Sequence, residues 1–317
     1  MEKVVMYDPG LCSFNRGDEI ISNAVYDGLS GFLADKYVTS ISSHMAFNKV
    51  YVGYLMDYDY KFVCGSNLLM GKMNGRFRQW DISRKSIPAV QDCILVGVGW
   101  WQPNDNPNFY TKNLYNTILN KKYKHSVRDE YTKTMLNSIG ITNVINTGCA
   151  TMWKFTPEFC REIPTGKADS VVFTLTGYSK DPAKDKALAE ILLKNYGKVY
   201  YWPQGTGDWD YLVSLGYADK VTVLGNTLAD YDQFLADVEC DYVGTRLHGG
   251  IRALQKKRRS IILAVDNRAR EKKKDFDIPC VERDEIESVE QMLTSQFETA
   301  IKIPLDRINE WKSQFKV

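Results

Sequence analysis

The sequence has no long hydrophobic run. Nothing in it approaches the ~20 consecutive apolar residues that span a bilayer. The opening Met-Glu-Lys-Val-Val-Met-Tyr offers only a four-residue apolar run, too short for the core of a secretory signal. Net charge is also small: 41 Lys and Arg stand against 39 Asp and Glu, a formal +2. That balance argues against a nucleic-acid partner and against an acidic disordered chain. Histidine is scarce, with only His44, His125 and His248. The seven cysteines are odd in number and form no C-x-x-C pair, which speaks against a disulfide framework and against a zinc cluster. No metal and no cofactor are expected. A reducing cytoplasm is the expected location, with at most peripheral contact with the inner face of the membrane. No internal repeat, low-complexity tract or G-x-G-x-x-G dinucleotide fingerprint is present.

Alternation fills the space those absences leave. Val4-Val5-Met6-Tyr7 reads as a buried strand. The spacing of Ile20, Ile21, Ala24, Val25, Gly28, Leu29, Phe32 and Leu33 puts an apolar stripe on one face of a helix, with Asp18 where an N-cap belongs. Further strands are expected at 62–64, 94–98, 171–174, 199–202, 221–224, 242–245 and 260–265, with helices near 110–121, 130–139, 186–196, 211–215, 228–238 and 249–254. Strands that alternate with helices imply parallel sheets built from βαβ units. The α/β pattern pauses over 156–169, where Pro157, Pro164 and Gly166 read as a linker. The expected organisation is therefore two Rossmann-like domains facing a cleft. These are an N-terminal domain over 1–155 and a C-terminal domain over 170–304. A last helix over 305–317 carries Ile308, Trp311 and Phe315 and needs a surface to pack on.

Ligands of open α/β sheets sit beyond the carboxyl ends of the strands. The segment there richest in chemistry is Asp241-Tyr-Val-Gly-Thr-Arg-Leu-His-Gly-Gly250. Arg246 supplies a planar fork suited to carboxylate or phosphate. His248 can donate or move a proton near neutral pH. The spacing opens a helix at Gly249-Gly250, whose backbone N–H groups favour an anion. The plainer alternative is a capped turn with a surface Arg and a packing His. Asp266 and Arg268 follow the next strand. In Phe14-Asn-Arg-Gly-Asp-Glu19, Asn15 and Gly17 shape a tight turn, and Asp18 either hydrogen-bonds a sugar hydroxyl or simply caps the helix. Asp129 can cap a helix beside Arg128. Trp100, after Gly99, can stack on a sugar ring or fill the core. Arg252 to Lys274 holds ten basic residues against two acidic ones, a local charge of +8 that is either a solvated face or an attractor of phosphate, acidic glycan or anionic lipid.

Four motifs fall in order: Asn15-x-Gly17-Asp18, Val127-Arg128-Asp129, Asp241 through Arg246-Leu247-His248-Gly249, and Asp266-Asn-Arg268-Ala-x-Glu271. In these the chain resembles the polysaccharide pyruvyl transferase family. The resemblance implies a GT-B-like fold, with phosphoenolpyruvate as donor and a sugar or lipid-linked oligosaccharide as acceptor, in cell-surface or exopolysaccharide biosynthesis. It also implies that Arg128, Arg246, Leu247 and His248 hold the donor. On that basis the donor site is expected to comprise Arg128, Arg246, Leu247, His248, Gly249, Gly250 and Arg268, and the acceptor site Asn15, Gly17, Asp18 and Trp100, with His248 and Asp18 catalytic. The competing readings are a GT-B glycosyltransferase with a nucleotide-sugar donor and a non-catalytic binder of acidic glycan.

Overall fold

Among the described residues, every ladder between two strands is parallel. The computed structural model describes residues 1–315, of Asn267 the backbone only. The chain forms two compact units, one of Met1–Ser13, Ile21–Trp153 and Ile303–Val317, the other of Phe14–Ile20 and Lys154–Lys302.

The first unit carries β1 (Lys3–Asp8), β2 (Tyr37–Ser42), β3 (Tyr60–Cys64), β4 (Ile94–Val96), β5 (His125–Val127) and β6 (Val144–Asn146). A four-stranded sheet runs in the order β2-β1-β3-β4. The β5–β6 pair continues it, because Val98 bridges Val127 in parallel and Arg128 N donates to Val98 O at 3.0 Å. Side chains alternate across the sheet as the strand period of two requires. Val5, Tyr7, Val63 and Leu95 enter one core, while Val4, Met6, Phe62 and Val96 enter the other. Burial on both faces explains why these strands read as unbroken apolar runs. The helix Leu305–Lys312 belongs to this unit. Trp311 and Phe315 pack there on Trp153 and on Phe32 and Phe62 respectively, with ring centroids 5.2–5.7 Å apart.

The second unit carries β7 (Ser170–Thr174), β8 (Lys198–Tyr201), β9 (Thr222–Val223), β10 (Cys240–Gly244), β11 (Ser260–Ala264) and β12 (Cys280–Glu282). Their spatial order is β12-β11-β10-β7-β8-β9. Read from the other edge this is the 3-2-1-4-5-6 order of the Rossmann fold, whose direction reverses between β7 and β10. The crevice beyond the carboxyl ends of those two strands is where such a sheet receives a ligand.

Two boundaries differ from the sequence reading. The stretch expected as a linker is built into the second unit. It holds the helix Pro157–Arg161, capped by Thr156, with Cys160 and Ile163 buried, and Phe297 N donates to Thr165 O at 3.2 Å. Phe14–Ile20, expected in the N-terminal domain, also groups with the second unit. The strand β2 and the helix Lys49–Met56 had no sequence expectation. Half-exposed residues in β2 and an outward-facing apolar stripe on that helix hide both from a periodicity search.

Candidate functional site

Strand β10 ends at Gly244 beside Thr174 at the end of β7, which puts the following residues at the switch point. Thr245 N donates to Thr174 O at 3.0 Å and Arg246 N to Thr174 Oγ1 at 3.3 Å. Arg246 is the N-cap residue of the helix Leu247–Gln255. That helix therefore opens two residues earlier than the glycine pair implies, and the role expected of the glycines changes. Gly250 N is already bonded to Arg246 O at 3.2 Å. A β-carbon on Gly250 would lie 2.5 Å from Ile262 Cγ1 and 2.7 Å from Tyr242 Cε1, and one on Gly249 would lie 2.9 Å from Gln204 Oε1. Both glycines seat the helix against the sheet. Leu247 is buried in the same turn.

Arg246 is buried, and its fork is already engaged. Nε donates to Asp208 Oδ2 at 2.9 Å and Nη2 to Asp208 Oδ1. Gly205, lacking a β-carbon, leaves room for that guanidinium. Asp208 is wholly buried and also accepts from Gly177 N at 2.9 Å and Gly205 N at 2.8 Å, so it ties three strand-end loops together. Arg268 is held likewise: Nε donates to Asp266 Oδ2 at 3.0 Å and Nη2 to the Tyr178 hydroxyl. Asp266 caps the helix Asn267–Phe276 by accepting from Arg268 N at 2.9 Å. Partial burial works to raise the Asp266 carboxyl, but the charge and hydrogen bonds of Arg268 hold it below the ordinary value. The ring of Tyr178 is near both cations, 4.9 Å from the guanidinium carbon of Arg246 and 5.8 Å from that of Arg268.

The Asn15 loop completes this concavity within the second unit. Asn15, Tyr178, Gln204, Arg246, His248, Asp266 and Arg268 all line it. Asn15 Oδ1 accepts from Gly17 N at 3.0 Å and from Gln204 Nε2 at 2.8 Å, and Arg16 N donates to Gln204 O at 3.0 Å. Asn15 thus caps the helix Arg16–Gly28, in the place expected for Asp18. Asp18 sits in the first turn, where a carboxylate suits the helix dipole, and its charge acts on Arg268. Gly17 is buried against Gln204.

Arg128 lies in the first unit, at the end of β5. It donates from Nε to Asp129 Oδ2 at 3.0 Å and from Nη1 to Asn67 Oδ1, and its guanidinium carbon would lie 2.5 Å from a β-carbon on Gly99. Asp129 caps the helix Glu130–Ser138 through Thr132 N at 2.7 Å. Burial works to raise its carboxyl, but Arg128 and Thr132 hold it low.

Trp100, expected as a sugar platform, is core. It is 2% exposed, its Nε1 donates to Asp105 O at 2.9 Å, and it packs edge-on against Tyr115. The basic stretch 252–274 is not a free positive face either. Arg252 and Lys256 pair with Asp232, Lys257 with Glu162, buried Arg259 with Asp241, Arg268 with Asp266 and Arg270 with Glu282. His125 and His44 are structural: His125 joins Leu95 N to Asn120 O, and His44 Nδ1 lies 2.9 Å from Gln79 O. Sequence reasoning missed Asp208, Tyr178 and Asn67. Tyr178 and Asn67 lie in loops just after strands and Asp208 opens the helix Asp208–Leu215 that follows β8, but only their partners' positions single them out.

Two α/β units with parallel sheets, one of them in Rossmann order, define a GT-B-like protein. The fold is similar to that of UDP-GlcNAc 2-epimerase from Methanocaldococcus jannaschii, solved in complex with UDP-GlcNAc and UDP. The two share a TM-score of 0.51 and 10% identity over 99% of this chain and 98% of that one. Within that class the family is specific: the model of the polysaccharide pyruvyl transferases matches residues 15–267, and the chain belongs to this family. No curated protein matches its sequence.

Proposed function

We propose that the protein transfers the pyruvyl group of phosphoenolpyruvate to two hydroxyls of one sugar, giving a cyclic ketal and inorganic phosphate. The observation that carries this reading is the pair of arginines held about Tyr178 at the switch point, in a chain of this transferase family. The donor presents a carboxylate and a phosphate, and two planar guanidinium groups at fixed positions match that pair of anions.

The chemistry removes two protons from the sugar hydroxyls and delivers two, one to the methylene carbon and one to the departing phosphate. The methylene carbon of the donor takes a proton and becomes a methyl group, while the first sugar oxygen bonds to the neighbouring carbon and loses its own proton. The second sugar oxygen then displaces phosphate from that carbon and loses its proton. His248, at the edge of the concavity, is the group assigned to protonate the methylene or the departing phosphate. Asp18 is assigned to orient and deprotonate the sugar hydroxyl. Arg246 and Arg268 hold the donor, and Asn15 and Gln204 offer side-chain polar atoms to the acceptor. The acceptor is a sugar, free or carried on a lipid.

The test is thermal unfolding with phosphoenolpyruvate, a UDP-sugar or inorganic phosphate, followed by phosphate release with a panel of sugar diols. A ligand at about 100 times its Kd stabilises by ~2.7 kcal/mol, which at ~2–4 °C per kcal/mol moves the transition by roughly 5–11 °C. A shift with phosphoenolpyruvate that is lost in Arg246→Lys supports the reading. A shift with the UDP-sugar alone overturns it in favour of a nucleotide-sugar donor.

A further inference from the structure

The first unit carries an outward apolar face that its own core does not use. The helix Lys49–Met56 buries Leu55, yet Val50, Tyr51 and Tyr54 are 64%, 57% and 68% exposed. Their i, i+1, i+4 spacing puts them on one side of the helix. Met45 and Phe77 are also exposed, and their loops are tied together: His44 Nδ1 lies 2.9 Å from Gln79 O, and Asp81 N donates to Ser43 O at 3.3 Å. Around this apolar surface cations outnumber exposed acids. Lys49 opens the helix, Arg84 and Lys85 lie on the 3-10 turn packed beside it, and Lys72 and Arg76 flank Phe77; all five are exposed. Asp81 in the same segment is paired with Arg78 at 2.5 Å. The exposed acids Asp57 and Asp59 lie beyond the far end of the helix.

We infer that this face is a docking surface for an anionic lipid membrane, with Tyr51, Tyr54 and Phe77 entering the headgroup region and the surrounding cations meeting lipid charge. Aromatic and aliphatic side chains ringed by Lys and Arg suit the interface of a bilayer, where the apolar part is buried and the cations stay wet. A second copy of this chain fits less well, because a two-fold contact would set the same five cations against one another. This surface also differs from the 252–274 stretch, six of whose ten cations pair with carboxylates.

The test uses the full chain with vesicles of phosphatidylcholine alone and of phosphatidylcholine with phosphatidylglycerol, read by co-sedimentation across a salt series. Binding is expected to the anionic vesicles only and to fall as salt screens the cations. Lys49→Gln and Lys85→Gln should each weaken partitioning roughly fivefold, the equivalent of about 1 kcal/mol per cation. The pair Tyr51→Ser and Tyr54→Ser should abolish it, with an unchanged melting temperature and an unchanged phosphoenolpyruvate-induced shift. Two results overturn the inference. One is wild-type protein that stays in the supernatant with anionic vesicles. The other is a concentration-dependent dimer that the Tyr51→Ser and Tyr54→Ser pair dissolves, which would make the face a self-contact.

Discussion

Replacing Asp208 with Asn keeps the shape of the side chain and removes its charge. In the native protein the two carboxylate oxygens accept from Arg246 Nε and Nη2, from Gly177 N and from Gly205 N, all in a wholly buried position. The Asn amide nitrogen would face donors it cannot accept from, and Arg246, 5% exposed, would be left as a buried cation without its counter-ion. Breaking a buried pair from one side costs about 3–5 kcal/mol. The Tyr178 ring at 4.9 Å returns only about 0.5–2 kcal/mol of that through its π face. The expected net loss is about 1–4.5 kcal/mol, or a fall of roughly 2–18 °C in the transition of the unit that carries Asp208. The same change should strengthen the response to an anionic donor, because the cation it meets is no longer neutralised, a gain that outweighs the ~2 kcal/mol of rotamer freedom Asp208 had fixed in Arg246. The assay is a thermal melt of Asp208→Asn and wild type, each with and without phosphoenolpyruvate. A loss below about 1 kcal/mol would refute the structural argument for the pair. A smaller phosphoenolpyruvate shift in the variant than in wild type would refute the placement of the donor on Arg246.

His248→Gln should lower kcat and leave the phosphoenolpyruvate-induced melting shift in place; an unchanged kcat removes His248 from the chemistry. Gly250→Ala gains helix propensity but forces a methyl against Ile262 and Tyr242, so it should destabilise by about 1–3 kcal/mol in urea titration, where an unburied glycine would have been stabilised instead. Trp100→Ala should cost about 3–5 kcal/mol of stability, as loss of a core aromatic does, with no selective rise in the KM for the sugar. Burial pushes the His125 imidazole down from its ordinary 6.5 to about 4. The folded state thus holds it neutral while the unfolded chain takes a proton. About 3 kcal/mol of stability is present above pH 6.5 and lost as pH falls towards 4, a slope that His125→Asn should flatten in acid titration of unfolding.

Much of the α/β architecture was legible because strands buried on both faces, such as Val4–Tyr7 and Ile94–Val96, write themselves as apolar runs. The Arg246–His248 and Asp266–Arg268 segments were legible for a second reason: they follow such runs directly, where the fold rule places ligands. Side-chain partnership was not legible. Gly249 and Gly250 have the composition of an anion cradle, but the facing residues Tyr242 and Ile262 come from other strands and give the glycines a packing role. Asp18 and Asn15 are both good capping residues, and Gln204, distant in sequence, favours Asn15. The charge of 252–274 counts only residues near one another in sequence, whereas Asp232, Glu162, Asp241 and Glu282 offset half of it from outside. Trp100 sits after a strand like a platform residue, but Tyr115 and Asp105 enclose it.

The partnership of the arginines also changes what the site can do. Free in water, a guanidinium on its long stem gives up about 2 kcal/mol of rotamer freedom when a ligand fixes it. Asp208 and Asp266 fix Arg246 and Arg268 during folding, so that cost does not fall on ligand binding. The same carboxylates cancel the long-range field that two bare cations would project. An anion approaching this concavity therefore meets little steering at a distance and is selected by fit once it arrives, through the donors left on Arg246 and Arg268. A site of that kind discriminates between anions by the spacing of their charges rather than by their number. The donor proposed here, with its carboxylate and phosphate borne on one carbon, carries such a spacing, and inorganic phosphate does not.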